Sequence, residues 1–210
     1  MKKRFFPRWA AILASSLAFM ALNHFGKSLI GFISSEFFFL FCLPLGLALL
    51  LGLKRKQLNL SLGKPAEWLP RVFVLLALAA PLLWWGSTLQ EFQSYYPVFS
   101  WARESLPNLA AYELLILLLL VFTEFFFRGF LMGGVRTLGR EKSVGLQLAP
   151  YILIHLGKPW LELPASALAG TVFGYLDWES ESIAPSIMLH WGINVLFDLL
   201  CLYSSSGLPY

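Results

Sequence analysis

Seven apolar runs constrain this chain more than any other feature. They fall at about residues 9–24, 29–53, 71–87, 109–135, 143–157, 165–176 and 183–203, and several approach the roughly 20 residues that carry a helix across a hydrocarbon core. In lipid a backbone must satisfy its own hydrogen bonds, which a helix does within one segment. The expected fold is therefore all-α, a polytopic membrane bundle of about seven hydrophobic helices. Runs 143–157 and 165–176 are short, which suits partial or tilted spans sheltered by neighbours. Composition agrees: 58% of the residues are hydrophobic and 13% charged, against about 25% charged in an ordinary soluble domain. No long polar block or linker interrupts the chain, so residues 1–210 are expected to form one integral membrane domain.

The basic residues give an orientation. Met1-Lys2-Lys3-Arg4 followed by Trp9 to Leu22 has the outline of a signal peptide, but no clear cleavage site follows and six more apolar runs do, so an uncleaved first span is expected. If each run crosses once, Lys2, Lys3 and Arg4, then Lys54, Arg55 and Lys56, then Arg136, Arg140 and Lys142 share one side. The positive-inside rule makes that side, and the N-terminus, cytoplasmic. The opposite loop, 88–108, carries Glu91, Arg103 and Glu104 and no basic excess. The formal charge of +4 thus reflects topology, and the expected partner is the bilayer, with no nucleic acid. Cys42 and Cys201 lie in apolar runs without metal-knuckle spacing and read as small buried residues. Glu36 is expected near the non-cytoplasmic interface, within reach of water.

Polar residues inside the apolar runs are costly and mark function by default. In TEFFFRGF, Glu124 and Arg128 are four residues apart, on one helical face, where they can pair. The three phenylalanines between them cover other faces, and Gly129 with Gly133 forms a small-residue ridge that would let another helix approach. YILIHLGKPWLELP puts His155 at the end of a run with Lys158 and Glu162 beyond it, while IMLHWGINVLFDLL sets His190, Asn194 and Asp198 at successive four-residue steps as a polar stripe. At about 1.5 Å per helical residue, Glu124 lies roughly 18 Å, His155 roughly 15 Å, His190 roughly 12 Å and Asn194 roughly 18 Å from the basic-side loops, so all four reach one layer. Gly170 and Gly174, with Ser166, form a second ridge for close packing.

Glu-x-x-x-Arg, then aromatic-x-x-x-His, then His-x-x-x-Asn, in that order over residues 109–200, resembles the CPBP family of intramembrane proteases, the CAAX protease and bacteriocin-processing or Abi family. Glu124 and Arg128 match its first motif, Tyr151 and His155 the second with Tyr for the usual Phe, and His190 and Asn194 the third. EFFFRGF and HLGKP, with Glu162 downstream, resemble a bacterial branch, which implies a bacterial plasma membrane. One position departs: the family reads Glu-Glu-x-x-x-Arg, its first Glu is usually assigned as the base, and here that position is Thr123.

The resemblance implies an endopeptidase acting on a membrane-associated or lipid-modified protein or peptide. Glu124, kept ionised by Arg128 and helped by His155, would draw a proton from water, and His190 and Asn194 would hold the oxyanion. The alternatives are Glu162 as the base, a non-catalytic relative serving as a membrane scaffold or binding protein, and a small transporter. Two histidines and a carboxylate also make a legitimate zinc set. The helical HExxH spacing is absent and the resemblance implies a glutamate enzyme, so no metal is expected, with one zinc ion as the alternative.

Overall fold

The computed structural model describes residues 8–22 and 29–205, and over them the chain is helical. The elements are α1 (Arg8–Leu22), α2 (Leu29–Leu50), α3 (Pro65–Ser87), the short α4 (Gln90–Tyr95), α5 (Leu106–Met132), α6 (Arg140–Leu153), α7 (Glu162–Ser180) and α8 (Ala184–Ser205). Four of them, α2, α3, α5 and α8, are long and apolar enough to cross a membrane, and α1 is a shorter apolar helix. The fold is the expected helical membrane bundle. Lys2, Lys3 and Arg4 lie outside the described residues. Helix α7 is longer than its apolar run implies, and it takes Glu162 into its first turn.

Helix α5 is the centre of the bundle: 67% of its most apolar stretch is buried, against 17% for α2, 11% for α3 and 22% for α8. It begins where the Ser105 hydroxyl accepts the Asn108 N–H at 3.3 Å and Pro107 occupies the first turn, two signals that favour a helix start. α3 runs along α8, α6 along α7, and α5 packs on α8. Interior prolines Pro70 and Pro81 sit in α3, as membrane helices tolerate.

The loops gather into two ends. At one, Arg136 reaches Asn59 Oδ1 at 2.9 Å, Lys56 pairs with Glu181 at 3.1 Å, and the Ile183 N–H donates to Asn59 O at 3.0 Å. At the other, the Trp160 N–H donates to Glu91 at 3.2 Å and the Tyr96 hydroxyl donates to Glu162. Among the described residues, the basic loops at 54–56 and 136–142 share an end, as expected.

The small-residue ridges differ in what they admit. On α7, a Cβ at Gly170 would lie 2.6 Å from the Tyr151 ring and one at Gly174 2.9 Å from Val144, so this ridge lets α6 press close, as expected. On α5 the expectation of an approaching helix is corrected. A Cβ at Gly133 would lie 2.0 Å from Gln57 O, and one at Gly129 3.0 Å from Leu58 O, so the close neighbour is the backbone of the 54–60 loop. Asn59, a left-handed residue, donates from Nδ2 to Arg128 O at 3.3 Å and fixes the loop there. Glu36 is also corrected: it is buried, at the start of a π-helical stretch of α2. Cys201 is buried and Cys42 half-buried, both as free thiols.

Candidate active site

The TEFFFRGF motif lies on a distortion of α5. From Phe125 to Met132 the helix widens into π-helical turns, a deviation that recurs at functional sites. All eight of those residues are buried. Phe125, Phe126 and Phe127 therefore face protein rather than lipid, with Phe127 edge-on to Tyr151 at 5.3 Å between ring centroids.

Glu124 and Arg128 pair as their spacing suggests, with both side chains fully buried. Nη1 lies 3.1 Å from Oε2, close enough for an ion pair but off the line of a hydrogen bond. Arg128 is held as well by ring faces, its guanidinium carbon standing 4.0 Å from the Tyr151 centroid and 5.4 Å from that of Phe173. The other Glu124 oxygen meets His190 Nδ1 at 2.7 Å. An ionised carboxylate only accepts, so Nδ1 carries the proton and Nε2 of the neutral ring is left bare. His155 is fixed in the same sense: its Nδ1 lies 2.8 Å from Tyr151 O, and a carbonyl cannot donate.

A cavity of about 400 Å³ lies beside this cluster, lined by Tyr151, His155, Glu162, Phe173, His190 and Asn194 with apolar side chains of α3 and α7. Two sequence expectations are refined here. Glu124 is not among the lining residues; His190 lies between it and the cavity. Asp198 is buried and also absent from the lining, because eight residues on from His190 the helix has turned by about 80°. Asn194 does line the cavity, with one amide hydrogen donated to His190 O at 2.9 Å. Thr123 is buried and donates to Leu119 O at 3.0 Å.

Glu162 stands at the mouth. It receives the Tyr96 hydroxyl and lies 3.3 Å from Lys158 Nζ. Burial and the adjacent Glu162 carboxylate hold the Tyr96 phenol well above its usual range, so it stays a donor. Arg103 braces this loop by donating to Tyr96 O at 2.7 Å. Tyr96 was not legible as a site residue, since nothing near it in sequence points to residue 162. Among the described residues no group of three His, Cys, Asp or Glu side chains is placed to hold a metal ion.

Residues 105–196 match the family model described as type II CAAX prenyl endopeptidase Rce1-like. This part of the chain is similar to the CAAX protease (CPBP) family. The match spans α5 to α8 and so holds every motif residue of the cluster, whereas α1 to α3 lie outside it. That similarity implies a peptidase, and the apolar helices place it in a membrane. No significant match arises among curated proteins or among solved structures.

Proposed function

We propose that the chain is an intramembrane endopeptidase that hydrolyses a peptide bond in a membrane-associated or lipid-modified protein or peptide, with His190 as the group that meets water and Glu124 as the carboxylate behind it. The observation that carries this reading is the 2.7 Å contact between Glu124 and His190 Nδ1 beside a cavity that Glu124 itself does not line. Carboxylate, imidazole and water in that order form the usual arrangement of an oriented general base.

Arg128 pairs with Glu124, and Glu124 fixes the His190 tautomer. Nε2 then takes a proton from water as its oxygen attacks the carbonyl carbon. The imidazolium so formed is stabilised by Glu124, and its Nε2–H passes the proton to the departing amine. Asn194 has a second amide hydrogen for the tetrahedral oxyanion, a contact whose loss typically costs about a hundred- to a thousandfold in rate. His155 offers a bare Nε2 to hold the water or a substrate N–H. No step uses a metal.

A second reading has a specific observation behind it: Glu162 lines the cavity and Glu124 does not. Glu162 would then be the base and the Glu124–Arg128–His190 cluster its scaffold. Mass spectrometry of membrane-protein carboxyl termini, with EDTA present, separates the readings. Glu124→Gln is expected to slow the appearance of new termini by about a hundredfold or more while Glu162→Gln keeps much of the rate. The reverse pattern moves the base to residue 162, and loss of wild-type activity in EDTA restores the zinc alternative.

A further inference from the structure

The cavity has a side. Its lining residues run from His190 and Asn194 outward along the second half of α3 (Leu82, Trp85), α4 and its loop, and the first half of α7 (Ala165, Leu168). The mouth residues Lys158 and Glu162 belong to the end of the bundle where Glu91 meets Trp160 and Tyr96 meets Glu162. No lining residue comes from the other end, where the loops at 54–60, 136–142 and 177–183 interlock. Leu82, Trp85, Ala165 and Leu168 are all exposed, so between α3 and α7 the cavity meets the lateral surface in the half of the bundle nearer its mouth. Further along, Arg71 and Glu179 pair at 3.0 Å across α3 and α7, over a separate cleft lined by Val74, Val172 and Tyr175 that shares no residue with the active-site cavity.

The two ends differ in charge. Among the described residues, the interlocked loops carry Lys54, Arg55, Lys56, Arg136, Arg140 and Lys142, whereas the loops around the mouth carry Arg103 and Lys158, the latter paired with Glu162. Short basic loops are retained in the cytoplasm.

From the coincidence of these two asymmetries we propose that the active-site cavity opens on the non-cytoplasmic side, and that the substrate is a membrane-anchored peptide whose cleavable segment lies at the non-cytoplasmic surface or in that leaflet. That the occupant is a peptide to be cut rests on the peptidase reading above; the sidedness does not. A peptide anchored in that leaflet enters sideways between α3 and α7, past Leu82, Trp85 and Leu168, while its polar backbone meets Glu162, Lys158 and Asn194. A tail confined to the cytoplasm has the interlocked basic loops between it and His190.

The test uses the full chain in sealed membrane vesicles of known sidedness, labelled with a membrane-impermeant maleimide. Ala165→Cys at the cavity mouth is expected to label in right-side-out vesicles and Lys56→Cys only in inverted ones, with the native sequence as the background for Cys42 and Cys201. Exchange of the two patterns overturns the proposal. If Ala165→Cys fails to accumulate, Glu104→Cys, exposed at the same end, takes its place. On the same membranes, carboxyl termini that form with wild type and not with His190→Gln are expected to map to non-cytoplasmic segments. Termini on cytoplasmic segments overturn the substrate assignment, and the absence of any His190-dependent terminus overturns the peptidase reading while the labelling still decides the side.

Discussion

Arg128 is a large cation sealed among Phe127, Tyr151 and Phe173, with Glu124 as its ion-pair partner. Removing one member of such a pair strands the other charge in a dry interior. Arg128→Ala is therefore expected to lower stability by about 3–5 kcal/mol, which thermal unfolding in detergent would register as a large drop in midpoint. An unchanged midpoint would mean that the pair is solvated. Thr123 poses the opposite question. Its hydroxyl is spent on Leu119 O, and a carboxylate added there joins Glu124 without a cation of its own. Thr123→Glu should leave the cleavage rate of an active protein no higher and its stability lower, because like charges and burial both oppose ionisation. If the native chain is inert and that substitution creates cleavage, this domain is a protease relative that lost its base.

At the scale of elements, sequence reading succeeded where periodicity and spacing carry the signal and failed where the backbone departs from ideal. The four-residue steps from Glu124 to Arg128 and from His190 to Asn194 marked groups that do lie close together, and Gly170 with Gly174 marked a true helix contact. The π-helical turns at 125–132 were invisible, since no residue type signals an extra residue per turn, and Asp198 was placed on a stripe that α8 rotates away. Gly129 and Gly133 were read as a seat for a helix because small residues report only that something comes close, not what. Gly133→Ala should consequently displace the Gln57 backbone and cost about 1–3 kcal/mol. Gly145→Ala, where a Cβ meets nothing within 4 Å, should be neutral or stabilising by about 0.5–1 kcal/mol. Unfolding midpoints of the two variants in the same detergent make the comparison; equal losses would argue against the close loop contact.

For the whole molecule, hydropathy made the membrane bundle legible and three short motifs made the family resemblance legible, because both are local properties of the chain. The order in which Glu124, His190 and the cavity follow one another was not, since it depends on how α5, α7 and α8 rotate against each other. That order is what turns a cluster of polar groups into a proposal for water activation at His190. The direct measurement is the rate at which new carboxyl termini form in membranes carrying wild type or His190→Gln, with the folded fraction of each checked by thermal unfolding. The account predicts a set of termini whose rate of formation falls at least about a hundredfold in the folded variant. The same termini formed at the wild-type rate by folded His190→Gln would contradict it.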